Sequence, residues 1–530
     1  TETPDMLSAR NLEKGGKKDK VVAREMCSIM SKGTRTYCHL DDLSILDNNG
    51  ASSSVLICIK ESKAVAPMDT MDTEDVSEAD KVCMPEYGIC VIDSVIGTVT
   101  LGQFSDDLQR TRLRTLLSRY MPTEIVLERH NFTAETSGAI QLLAGDAAKE
   151  FLRPSEMPSP AETLNLLKKG AYYGSDVDAE YKTWPVVLQA VIRGMQNNSS
   201  ALAMAAMGGA LFQLKRSLID YEVLSLGRVF GYVPPDDESN SVSALIETSS
   251  STADTSNLVN LVNVGGSGAG AAAGPAGEKD HTDHMTLDAV SLNNLEILYN
   301  NFDRTEKGSL WAFIDRCKTS FGKRLLKEWL CHPLYRAEDI KRRADAVEEL
   351  LTECADQSKQ CRDALSGIPD LERLLARVHT NGLKKKGLDH PDSRAIMYEN
   401  PIYTTRKIKD LSDILSGFEK VLAIRKIFNS EVPVTSMLLR RAVCEPTPLP
   451  TDVTVPKKST TGKFPAKEVA KLLHHFRDIF DEKQAKKDGN IKPKPGINRA
   501  YDDAKERIAT IIKEFDNYLV EQKKLLGVNS

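Results

Sequence analysis

The sequence predicts a multidomain chain, with an α/β module in front and a mainly α-helical body that ends in long coiled-coil-like helices. Three observations carry this. Two β-rich runs, "YGICVID" and "GTVTLGQF", follow one another from Tyr87. After Met285 the apolar residues recur at spacings of three and four. Between the two regimes lies a long Ser, Gly and Ala tract. At 530 residues, a norm of roughly 150 residues per domain gives about three domains.

Taken in order, the opening segment contains "KVVAREMCSIMSKGTRTY", where Val22, Met26, Ile29 and Met30 share one helical face and Gly33 is placed to stop the helix. "KAVAPMDTMDTEDVSEADK" is acidic and poor in large apolar residues, and reads as a solvated insertion. The two β-rich runs are joined by "SVIG", a hairpin signal. "DDLQRTRLRTLLSRY" reads as a helix with Leu108, Leu113, Leu116 and Leu117 on its apolar face and Asp106 or Asp107 as cap. Pro122 ends it, and "EIVLE" is the next strand.

Residues 235–283 hold "SSSTADTSN" and "GGSGAGAAAGPAG", too poor in apolar side chains to order themselves, and read as a flexible insertion. "SLWAFIDRC" and "TSFGKRLLKEWLCHPL" begin the helical body. In the second, Thr319 or Ser320 caps, Leu325, Leu326, Trp329 and Leu330 form the apolar face, and Pro333 stops it. "AEDIKRRADAVEELLTECAD" and "PDLERLLARVH" continue the helical pattern up to "HPDSRAIMYENPIY", a stretch with buried-type Ile396, Met397 and Tyr398 but no chemistry of its own. Beyond Pro465 two long helices are expected. The second carries Tyr501, Ala504, Ile508, Ile511, Phe515 and Tyr518 as an a/d seam, which the upstream Val469, Leu472, Leu473, Phe476, Ile479 and Phe480 would cover in part. Its last turns, Phe515 to Leu526, are expected to be poorly packed.

The totals exclude several classes. A net charge of -5 argues against a generally basic nucleic-acid coat, although a local stripe of Lys and Arg suffices to touch phosphate. No run of about 18 apolar residues is present, so no transmembrane helix and no membrane partner is expected. The first twenty residues have no apolar h-region and no initiator methionine, and suggest a chain cut from something longer. The ten cysteines form no CxxC pair or zinc spacing, and Cys58 and Cys90 sit among apolar neighbours, as thiols do in a reducing compartment.

Candidate chemistry is thin. The Gly-rich tract fails as a phosphate loop: there is no G-K-[ST], since "TTGKFP" and "FGKRLL" put Phe464 and Arg324 where the magnesium-binding hydroxyl belongs. Asp93 and Glu128 end two strands, and side by side they would suit a two-metal nuclease; the alternative is strand-end capping in a non-catalytic sheet. His281 with His284, and His474 with His475, are the histidine pairs, without further ligands at metal spacing. Lys384 to Lys386 with Arg394 form a basic run able to touch phosphate, though most such runs are solvated surface. No catalytic, cofactor-binding or metal-binding residue is assigned.

"TETPDML", "VVAREMCSIMSKGTRTY", "YGICVIDSVIGTVTLGQFSDD", "MTLDAVSLNNLEIL", "DRTEKGSLWAFIDRCKTSFGKRLLKEWLCHPL" and "HPDSRAIMYE", in this order, resemble the DNA mismatch-repair MutS homologues. "HPDSRAIMYE" is similar to the signature of the large subunit of the eukaryotic MutS-alpha heterodimer, where it would be a fixed segment of the helical core.

The resemblance implies an organisation. Residues 1–40 would be the exit of the mismatch-binding domain and 41–86 a variable loop with the acidic insertion. Residues 87–232 would be an RNase-H-like α/β connector without a nuclease site, and 233–284 the low-complexity insertion. Residues 285–464 would be the helical core, and 465–530 lever helices truncated before the clamp. It implies mismatched double-stranded DNA and a MutS-homologue partner subunit for the full-length protein, ATP and magnesium in a domain beyond Ser530, and a nuclear location. The family's mismatch-reading Phe-x-Glu belongs to a domain of which only the exit, Thr1 to Tyr37, is expected here, so the DNA-contacting residues stay unassigned. The chain alone is not expected to be an enzyme. The other function class is an RNase-H-like metal-dependent nuclease with a helical arm.

Overall fold

The computed structural model describes residues 31–34, 54–63, 84–173, 181, 183–234, 284–285, 287–382, 401–428, 434–443 and 466–526. The helix expected over Val22 to Met30, both low-complexity tracts, Lys384 to Lys386, Arg394 and "HPDSRAIMYE" lie outside these residues.

Six strands form one mixed sheet: β1 (Val55–Lys63), β2 (Pro85–Asp93), β3 (Thr98–Ser105), β4 (Glu124–Glu128), β5 (Ala148–Leu152) and β6 (Arg228–Gly231), in the order β5-β4-β1-β2-β3-β6. The expected hairpin is β2–β3, antiparallel, with Gly97 at φ 67 in its turn, a conformation open to glycine at no steric cost. β1 pairs antiparallel with β2 and parallel with β4, and β5 and β6 add in parallel at the two edges.

The reading of 41–86 as a variable loop is corrected at Val55–Lys63, which is a central strand. Leu56 and Cys58 face one apolar cluster, and Val55, Ile57 and Ile59 the other. A strand buried on both faces shows no polar alternation, so its sequence carries no period-2 signal.

Helices cover both faces. On one lie α1 (Thr111–Tyr120) and α2 (Ala134–Leu143), over Ile57, Ile59, Tyr87 and Phe104. On the other lie α3 (Pro160–Gly170), α4 (Val186–Gly194) and α5 (Ala201–Arg216), with α6 (Asp220–Leu224) leading into β6. α5 approaches β2 closely: a Cβ at Gly88 would lie 2.1 Å from the backbone of Leu202. α1 starts at Thr111, so Leu108 is 55% exposed and not on the apolar face, while Leu113, Leu116 and Leu117 are buried. Both expected acids serve its first turn. Asp106 accepts from the amides of Arg112 and Leu113, and Asp107 from that of Thr111, while the N-cap position is taken by Arg110 in the left-handed region.

The helical body opens with α7 (Ala289–Asn294), α8 (Leu310–Ile314) and α9 (Ser320–Cys331). The Thr319 hydroxyl is the cap of α9, accepting from Gly322 N at 3.2 Å. Leu326 and Leu330 pack with Leu292, Ile297, Leu298, Trp311 and Cys331. Trp329, expected on the apolar face, is 43% exposed and lies under the Arg343 guanidinium at 3.8 Å. There follow α10 (Ala337–Leu351), α11 (Ala355–Ser366), α12 (Leu371–Gly382), α13 (Pro401–Phe428) and α14 (Met437–Val443). The chain then forms α15 (Ala466–Ile479), α16 (Glu482–Asp488) and α17 (Arg499–Leu526).

The expected pairing of the last helices is not what forms. α15 turns Val469, Leu473, Ile479 and Phe480 onto α13, against Ile408, Leu411, Leu415 and Phe418. α17, about 42 Å long at 28 residues, has no buried residue, and Ile508, Ile511, Phe515 and Tyr518 are all exposed. Its seam is therefore bare along its whole length and not only in the last turns.

Candidate coupling interface

Asp93 and Glu128, the carboxylates that a nuclease would need together, are kept apart. β1 runs between their strands; Asp93 is opposite Val55, and Glu128 follows the residue opposite Ile59. That separates them by five β1 residues, about 17 Å along the strand, on opposite sheet faces. The Glu128 carboxylate is instead paired with the Lys60 ammonium. Among the described residues no group of three or more His, Cys, Asp or Glu could hold a metal ion. His284 sets Nδ1 3.0 Å from the carbonyl of His332, and His474 and His475 are exposed on α15. The nuclease reading loses its geometric basis.

The structure instead gathers charged groups where the sheet meets the helical body. At the first contact α1 ends on Arg119 and Tyr120, and the chain turns through Met121 at φ 46. Met121 packs on the cluster of Leu292, Ile297, Leu298, Trp311 and Cys331. Beside it Arg119 lies 3.9 Å from Glu328 of α9, both side chains largely buried. That gap is longer than a hydrogen bond and offsets desolvation poorly. Burial accordingly pushes the Glu328 carboxyl up to about 8, against the pull of Arg119. Burial, with Arg119 nearby, also drives the His332 imidazole down to about 3.

At the second contact the Ser225 hydroxyl, just after α6, sits 3.0 Å from His379 Nε2 of α12. Burial, then the charge of Arg228, lowers His379. Arg228 donates to the carbonyl of Ile96 in the β2–β3 turn. Asp93 accepts there from the amides of Val95 and Ile96; burial raises its carboxyl, and those bonds with the charges of Arg373 and Arg324 oppose the rise. Arg324 forks onto Asp370 at 2.8 Å through both terminal nitrogens and reaches Glu372 at 2.6 Å. Asp93 is thus an acid at the seam, facing the cations of the helical body.

None of Arg119, Met121, Ser225, Glu328 or His379 was singled out from the sequence. They meet from positions more than a hundred residues apart, and no local spacing marks them. The arrangement suits mechanics: an apolar knob, a buried arginine beside a glutamate that keeps its proton, and a hydroxyl–imidazole contact fix one unit on another.

The comparisons with known proteins agree with this division. The family model of MutS domain II matches residues 76–165, and that of MutS domain III matches residues 290–528. The DNA mismatch repair protein Msh6 of Gallus gallus is 35% identical over 551 residues, covering 100% of this chain and 36% of the relative. This chain belongs to the MutS family of DNA mismatch-repair proteins. Its human relative, also a DNA mismatch repair protein Msh6, is 33% identical over 541 residues, covering 99% of this chain and 35% of the relative. A bacterial MutS, from Chlorobaculum parvum, is 48% identical over 97 residues, 18% of this chain. The chain spans about a third of the length of the Msh6 relatives it matches. In MutS terms the first contact joins domain II to domain III, while Ser225 of the second contact and the first strand from Val55 lie outside the matched residues. Among the described residues no helix is long and apolar enough to cross a membrane.

Proposed function

We propose that this chain is the transmission part of a mismatch-recognition subunit, coupling the binding of mismatched DNA to an ATPase elsewhere in the full-length protein. The observation that carries the reading is the seam: Met121 and Arg119 of the sheet unit engage the helical body on one side, and Ser225 engages it on the other. Two contacts on different elements resist rotation, so a tilt of one unit is passed to the other.

The sheet order β3-β2-β1-β4-β5, with its antiparallel first three strands, supports an RNase-H-like connector. The length and apolar face of α17 support a lever helix. ATP and magnesium belong, in this reading, to a domain outside this chain, whose sequence lacks a G-K-[ST] phosphate loop. In this reading the natural setting is a nuclear heterodimer with a second MutS homologue; the names of the Msh6 relatives support the part of it that concerns DNA mismatch repair.

The test is Met121→Glu in the full-length protein that carries this chain. A carboxylate driven into the Leu292–Trp311 cluster opens the seam. Mismatch affinity is expected to hold while mismatch-stimulated ATP turnover falls about tenfold. Full stimulation in a variant whose seam is open by amide exchange would refute the proposal.

A further inference from the structure

Residues 31–34 lie well ahead of β1, yet they are seated on the sheet. The Glu124 carboxylate, at the start of β4, is 2% exposed. It accepts from the Ser31 hydroxyl, from Gly33 N at 2.9 Å and from the Gln213 side-chain amide of α5 at 2.7 Å. The contact is closed from the other side. Ser54, just before β1, donates to the Lys32 carbonyl at 2.8 Å, and Ser94, just after β2, donates to the Gly33 carbonyl at 3.1 Å. The fit leaves no space: a Cβ on Gly33 would lie 2.5 Å from the Glu124 Cβ.

A buried carboxylate held by neutral donors depends on every one of them, because losing two leaves charge without solvent. The segment is therefore docked or undocked as a unit. Glu124 is also three residues from Met121, and the connection between them is pinned by Thr123, whose amide and hydroxyl both donate to the Val55 carbonyl. The carboxylate that grips the incoming segment and the side chain that plugs the helical body thus share one short, fixed piece of backbone.

We infer that Glu124 is a positioning residue in mismatch signalling: it ties residues 31–34, and whatever precedes them, to the Met121 end of the connector. This rests on the coupling role proposed above. A displacement of the incoming segment reaches the helical body through Ser31 and Gly33, Glu124, and Met121.

The test uses Glu124→Gln, and Gly33→Ala from the opposite side of the clasp should the first variant unfold. In the chain as it stands, amide exchange at residues 31–34 is expected to rise about tenfold or more in the variants while β2 stays protected. Unchanged exchange would overturn the clasp whatever the protein does. In the full-length protein, mismatch affinity and basal ATP turnover are expected to hold and stimulation by a mismatch to fall about tenfold. Full stimulation in both variants overturns the inference, and so does a parallel loss of basal and stimulated turnover, the mark of a merely structural role. Absence of stimulation in the unsubstituted protein would instead overturn the coupling role, leaving the clasp to the exchange result.

Discussion

Glu328 sits in an environment that disfavours its charged form, because burial outweighs the pull of Arg119. Unfolded, it ionises near the ordinary 4.5; folded, it keeps its proton to about 8. The folded state therefore binds the extra proton in this window, and the contribution of Glu328 to stability is present below pH 4.5 and lost as pH rises to 8. Glu328→Gln mimics the protonated acid and should raise stability at pH 8 by about 1–3 kcal/mol, with little change at pH 4.5. His332, held neutral by burial, slopes the other way below its ordinary 6.5, so the difference between the two proteins is the quantity to read. Denaturant midpoints measured across pH 4.5–8 check this. A variant gain that is flat with pH would mean that Glu328 is ionised at the seam.

At the scale of elements, legibility followed local signals. β2 and β3 were readable because a glycine turn separates two β-rich runs, and α9 because Thr319, its leucines and Pro333 mark start, face and stop. β1 was not, since a strand buried on both faces between two acidic or polar stretches loses its alternation. The apolar face of α15 was read in part, since Val469, Leu473, Ile479 and Phe480 pack while Leu472 and Phe476 are exposed, and its target was not read: periodicity states that a face needs cover, never which helix supplies it. α17 was readable as a helix for the same reason, and its seam stands uncovered. Each large side chain so exposed forgoes roughly 1.5–3 kcal/mol of burial. Amide exchange in the isolated chain should therefore be fast throughout Arg499–Leu526 compared with Leu325 to Leu330, and the sedimentation coefficient should rise with concentration as seams pair. Strong protection of α17 in a monodisperse monomer would show that the helix is satisfied by this chain alone.

For the whole molecule, the seam was beyond sequence reasoning because its partners, Arg119 with Glu328 and Ser225 with His379, become neighbours only after the sheet closes. What the sequence did convey was the absence of a phosphate loop and a net charge of -5. The isolated chain is accordingly expected to show no saturable ATP binding at micromolar concentration. Its DNA binding should be weak and salt-sensitive, with matched and mismatched duplexes equal within about threefold, since phosphate contacts carry no sequence information. Filter binding at two salt concentrations checks both halves, and a tenfold preference for the mismatch would contradict it.

The coupling role predicts motion at the seam when the full-length protein meets its substrate. The direct measurement is amide exchange on that protein with matched and with mismatched duplex, followed at Tyr120–Met121, Ala289–Asn294, Ser225 and His379. The mismatch alone is expected to change exchange at both contacts together, and Met121→Glu to abolish the change. Mismatch-stimulated ATP turnover with the seam unaltered on both duplexes would contradict it.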